Sequence, residues 1–113
     1  MKQVIAIIPP HRLESVETAL HEASHLPGFT WFRVRGHPRG TGPHHAFTGA
    51  EWNPDAHNQV VVMMFCADED ADNIINALRL SAYTGNRHDG LIAVVNVESI
   101  LRIRTGERGD AAV

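Results

Sequence analysis

The sequence predicts an α+β sandwich, with two helices on one face of a four-stranded sheet and a long loop between strands 2 and 3. Four short runs rich in β-branched residues, two amphipathic stretches at helical spacing, and one long segment without any period carry that prediction. Residues 2–8 are rich in Val and Ile and read as a strand that Pro9-Pro10 stops. Leu13, Val16, Leu20 and Ala23 recur at helical spacing, which predicts a helix over about 12–25, ended by Pro27-Gly28. A second strand follows over 29–35. Residues 36–58 form the long loop, of the kind that is usually functional. Residues 59–66 are a continuous apolar strand. Asp68, Glu69, Asp70 and Asp72 then load the start of a second helix with negative charge, as the helix dipole prefers. Its apolar stripe is Ala71, Ile74, Ile75, Leu78 and Ala82, with Gly85 as its C-terminal cap. The loop 84–90 leads to a fourth strand over 91–97, and the tail 101–113 begins as a short strand.

The order β-α-β-β-α-β is the ferredoxin-like arrangement, and 113 residues suit one domain. Two helices cover only one face of such a sheet. The third and fourth strands are nevertheless apolar on both faces, where a half-exposed antiparallel strand alternates. Self-association is the simplest cover for the second face.

Composition narrows the function classes. A hydrophobic share of 43% and a charged share of 20% are those of an ordinary globular protein. The formal net charge of -3 provides no basic field for nucleic acid. No apolar run is long enough for a signal peptide or a membrane span. One cysteine, Cys66, forms no internal disulfide and fits a reducing, cytoplasmic setting; it reads as a small core residue.

The tail Arg102-Ile103-Arg104-Thr105-Gly106-Glu107-Arg108-Gly109-Asp110-Ala111 resembles the C-terminal signature of the PII signal-transduction family. Thr84-Gly85 with Asp89-Gly90 is similar to the family's TGKIGDGKIF segment. Ala6-Ile7-Ile8, Pro10 and Leu13 resemble its opening AIIKPFKL, and Gly49-Ala50-Glu51 its RGAEY piece. The four matches occur in order along the whole chain. They identify it as a divergent, PII-like member.

The resemblance implies a homotrimeric regulator rather than an enzyme, with adenine nucleotide (ADP, AMP or ATP) in clefts between subunits. It also implies that the long loop docks on a membrane transporter or metabolic enzyme. Arg102 and Arg104 match the family's phosphate-contacting arginines; at i and i+2 on a strand they present paired forks to phosphate oxygens. Asp89 and Gly90 match the loop that approaches the phosphates through backbone N–H groups. Ile7, Thr30, Gly36 and Phe65 fall where the family lines the adenine and ribose pocket. Arg39, Arg87 and His88 complete the nucleotide-binding set.

Departures from the pattern narrow these expectations. The family's glutamine that helps hold magnesium and 2-oxoglutarate is Gly40, its loop-foot lysine is Gln59, and its modifiable tyrosine aligns with Trp52. His88 and Leu91 replace a glycine and a lysine beside the phosphates, with Arg87 available to restore a charge. The pattern predicts no strong 2-oxoglutarate binding, and a nucleotide with fewer phosphates demands fewer cations.

The eight histidines are the compositional oddity. His37, His44, His45 and His57 fall in the long loop with Glu51 and Asp55, and imidazoles with carboxylates suit a divalent transition metal. The alternative reading is therefore a metal-responsive protein of the same fold, linked to heavy-metal efflux. Their spacing matches no standard metal motif, and exposed histidines in a glycine-rich loop are otherwise solvated surface. His88 with Asp89 is a poor acid–base dyad, because adjacent residues point apart.

Overall fold

The computed structural model describes residues 1–37, 39, 42–46 and 57–113. Four strands, β1 (Lys2–Ile8), β2 (Phe29–Arg35), β3 (Asn58–Cys66) and β4 (Leu91–Asn96), form one sheet in the order β2-β3-β1-β4. Every pairing is antiparallel. Helices α1 (Leu13–Glu22) and α2 (Ala71–Ala82) cross from β1 to β2 and from β3 to β4. This is the ferredoxin-like order the sequence predicts.

Alternation along the two central strands places the core. Val4, Ala6 and Ile8 of β1 and Val60, Val62, Met64 and Cys66 of β3 are buried, and they face Val16 and Leu20 of α1 and Ile74 and Leu78 of α2. Burial, and next the charge of Asp70, push the Cys66 thiol up, as suits a core residue. Arg12 joins the helices at one end: its Nε and Nη2 both donate to the carbonyl of Ser81, at 3.1 and 2.6 Å.

Among the described residues no element covers the opposite face. Val61, Met63 and Phe65 of β3 stand beside Ile5 and Ile7 of β1, and Phe32 pairs with Val61. Phe32, Phe65, Leu91 and Val95 are 46%, 36%, 57% and 45% exposed, too much for core positions. Strands 3 and 4 are thus apolar on both faces, as their sequence predicts.

Helix α1 is shorter than the apolar spacing predicts, whereas α2 covers the whole predicted stripe from Ala71 to Ala82. A single 3-10 turn, Pro10–Arg12, precedes α1, and the chain turns extended at Ala23, two residues before the predicted end at His25. Helix α2 stops because Tyr83 is extended, so Gly85 is not its cap. Gly85 instead takes φ +83° within the following loop. The tail is not the short strand the sequence predicts. Leu101 bridges Arg108, the amide of Arg102 donates to the carbonyl of Glu107 at 2.9 Å, and a 3-10 turn covers Gly109–Ala112. Arg102 and Arg104 therefore sit on a turn and do not share a strand face.

Leu78 is fully buried at the helix–sheet contact, so Leu78→Ala costs about 2–5 kcal/mol of stability. Urea unfolding checks this as a lowered midpoint with an unchanged slope.

Candidate functional site

One end of the sheet collects the chemistry. The register pairs Ile7 with Val61 on one side and with Leu91 on the other, and pairs Arg35 with Asn58. The ends of β1 and β2 and the starts of β3 and β4 therefore lie together. From this end spring the long loop after β2 and the 84–90 loop before β4.

A glycine sets how closely the second loop approaches. Gly90 has φ +97°, and a Cβ there would lie 1.7 Å from the carbonyl oxygen of Ile7. No side chain fits, so the loop backbone rests directly on β1. Asp89 then closes the loop on itself. Its carboxylate accepts from the hydroxyl of Thr84, from the Thr84 amide at 2.7 Å and from the Gly85 amide at 2.9 Å. The Thr84 hydroxyl and amide hold the Asp89 carboxyl below the usual carboxylate range, with the Gly85 amide helping.

Between the loops lies a cavity of about 1050 Å³. Ile7, Gly36, Gln59, Gly90 and Leu91 form its floor; His37, Arg39, His44, His45, Arg87 and His88 supply its polar lining. Among the described residues no carboxylate lines it. The Gln59 side chain occupies the space above Gly36, where a Cβ would meet its Oε1 at 1.9 Å. His44 and His45 hold positive φ values of 54° and 60° in a turn closed by the Gly42 amide donating to the Ala46 carbonyl. A basic, carboxylate-poor cavity floored by apolar strand ends suits an anion with an apolar body.

A smaller cavity of about 250 Å³ lies behind it, and His88 and Gln59 line both. Buried His57 stands edge-on to His88, ring centroids 6.3 Å apart, and its carbonyl accepts from the Gly36 amide at 2.9 Å. His11 and Asn86 join this second wall. The residue pattern gives no hint of His11, which the fold brings to this wall from the turn after β1, whereas Asn86 belongs to the 84–90 loop already singled out.

The predicted nucleotide residues divide into groups. Ile7, Gly36, Arg39, Arg87, His88 and Gly90 line the large cavity. Asp89 bonds within its own loop and lines the smaller cavity beside His88. Thr30 pairs with Met63 and Phe65 with Gln3, which puts both on the uncovered sheet face. Arg102 donates through Nε to the Ala112 carbonyl at 3.1 Å, and Arg104 is exposed; neither lines the cavity of its own subunit. Of the predicted metal residues, His37, His44 and His45 reach the large cavity and His57 only the small one. Among the described residues no three His, Cys, Asp or Glu side chains are grouped to hold an ion. Gly40, the Gly49-Ala50-Glu51 match, Trp52 and Asp55 lie outside the described residues.

Comparison with known proteins gives a consistent result. The family described as Nitrogen regulatory protein P-II matches residues 1–107. The chain is 42% identical to Nitrogen regulatory protein P-II of Rhizobium meliloti (strain 1021) over 113 residues, all of both chains. It is 38% identical to Nitrogen regulatory protein P-II 2 of Methanothermobacter thermautotrophicus over 113 residues, all of this chain and 97% of the relative.

The Asp89 hub gives a pH signature. A carboxyl whose pKa is depressed by folding supports its loop above its unfolded pKa, and that support is lost as pH falls through the lower folded value. In an NMR titration the Thr84 and Gly85 amide signals follow Asp89 with a midpoint below the usual carboxylate range. Asp89→Asn abolishes that titration.

Proposed function

The chain belongs to the nitrogen regulatory protein P-II family, and from that membership we propose how this member works: an adenine nucleotide binds in clefts between subunits of a homotrimer, and the long loop controls a partner transporter or enzyme. The family makes it a signalling regulator and not an enzyme. The observation that carries the nucleotide reading is the cavity between the two loops, with arginine and histidine in its lining and no carboxylate among the described residues. Phosphates take such donors through charge-assisted hydrogen bonds, and Ile7 and Leu91 give a base or ribose an apolar floor.

The trimer accounts for two otherwise unexplained features. It covers the apolar face that Phe32, Met63, Phe65 and Val95 leave open. It also brings Arg102 and Arg104, which serve no cavity of their own subunit, to the cleft of a neighbour. Thr30 and Phe65, on the uncovered face, join the cleft in the same way. The reading includes no 2-oxoglutarate site, because Gln59 offers a neutral amide at the loop foot. No described helix is long and apolar enough to cross a membrane, and the proposed setting is the cytoplasm, with the loop reaching a membrane transporter from its soluble side.

Light scattering at micromolar concentration is predicted to give the mass of three chains; a monomer would remove the cleft. Calorimetry with ADP tests the site itself. Arg104→Ala weakens ADP by at least about tenfold, one charge-assisted phosphate contact, while the assembly keeps its mass. Equal affinity in variant and parent would rule out the assignment of Arg104.

A further inference from the structure

We propose that Gln59 is a further ligand-binding residue of the large cavity, its carboxamide seated on Gly36 so that its N–H groups meet a phosphate-bearing ligand. The proposal deepens the nucleotide reading and rests on it for the identity of the ligand alone. Its ground is the glycine at position 36. Gly85, Gly90, Gly106 and Gly109 hold positive φ values and Gly36 does not, so left-handed backbone is not what calls for a glycine here. The missing side chain supplies space. The three atoms nearest to a Cβ built at 36 all belong to the Gln59 carboxamide: Oε1, Cδ at 2.9 Å and Nε2 at 3.7 Å. One side chain fills the room that the glycine leaves, and any larger residue would move it.

The backbone beneath the carboxamide is held from both sides. Gln59 is the second residue of β3 and pairs with Val34 of β2, two residues before Gly36. The Gly36 amide donates to the His57 carbonyl at 2.9 Å, which ties the two strands past their last pair. Alternation puts Gln59 on the uncovered face with Val61, and Ile7 and Leu91 follow across the sheet. Gln59 thus stands half-buried at the foot of the long loop, and with His88 it lines both cavities. A strand residue seated in this way is placed before a ligand arrives, so little rotamer freedom is lost on binding.

Its chemistry complements that of the arginines. Arg39 and Arg87 supply permanent charge to the same cavity. Ile7 and Leu91 have no side-chain donor, so among the described residues Gln59 is the polar side chain of the floor. Its oxygen lies nearer to the Gly36 position than its nitrogen does, which leaves Nε2 and its two N–H donors at the outer end. An amide N–H donating to a phosphate oxygen is a charge-assisted hydrogen bond, and it adds direction where the arginines add charge.

The test uses the whole chain and four variants: Gln59→Ala, Gln59→Met, Gly36→Ala, and Gly36→Ala with Gln59→Ala. Calorimetry measures the dissociation constants of ADP and, separately, inorganic pyrophosphate. Gln59→Ala weakens binding by about tenfold, the loss of one hydrogen bond to a charged group. Gln59→Met keeps the length of the side chain without its donors and loses as much; parent affinity in this variant means that Gln59 only fills space, and overturns the proposal. Gly36→Ala displaces the carboxamide and weakens binding by about threefold or more, but by less than about twofold where Gln59 is already alanine. An equal loss in both backgrounds means that Gly36 acts without Gln59, and overturns the proposal. Unchanged affinity in Gln59→Ala overturns it as well and leaves nucleotide binding standing. If ADP binds no protein while pyrophosphate shows the expected pattern, the nucleotide reading falls and the proposal stands. If neither probe binds the parent, both fall. Should Gly36→Ala fail to assemble, the two Gln59 variants decide by the same outcomes.

Discussion

Strands β1 and β3 carry apolar side chains on both of their faces, while the described residues include only two helices to cover them. The helices take the face of Val4, Ala6, Ile8, Val60, Val62 and Met64, and this fixes which way every residue of the sheet points. A slip of one residue in either central strand would turn the core outward. The same alternation sets Ile5, Ile7, Val61, Met63 and Phe65 on the far side. The pleat of two strands thus determines the core, the apolar face that the helices leave uncovered, and the sheet end at which loops meet.

That sheet end turns register into chemistry. Because Ile7 lies between Val61 and Leu91, the loop before β4 arrives beside the foot of the long loop. Gly90 lets its backbone sit on the carbonyl of Ile7, and Asp89 ties Thr84 and Gly85 into a closed turn. Arg87 and His88 line the cavity from a segment braced in this way. The bracing uses the acid and leaves the cations for the cavity.

The strands were largely legible in the sequence because β-branched runs bounded by Pro, Gly and polar residues have little alternative. Strands β1 and β2 occupy the predicted residues, and β3 and β4 differ by one residue at an end. Helix ends were less legible: the spacing of Leu13 to Ala23 predicts apolar contact, but contact persists beyond the last helical hydrogen bond. Gly85 looked like a cap because it follows an apolar stripe, yet the turn that uses it belongs to Asp89 four residues on. The tail misled for a related reason. Alternating Leu101, Arg102, Ile103 and Arg104 mimics a strand, but with no described strand to extend beyond the Arg108 bridge it folds into a turn. Arg87, His88 and Gly90 were legible through the family pattern. His11 was not, since only the fold brings the turn after β1 to that wall.

The core and the site share almost no residues. Among the described residues every fully buried side chain belongs to the helix-covered face, whereas the cavity is built from loop residues and from Ile7, Gln59 and Leu91 at the rim of the sheet. Substitutions in the two loops therefore draw little on folding stability, apart from Gly90 with its backbone contact. Histidines can accumulate there, and a glutamine can replace a cation at Gln59, without the sheet registering the change. A scaffold divided in this way lets the residues around its cavity change while the architecture stays in place.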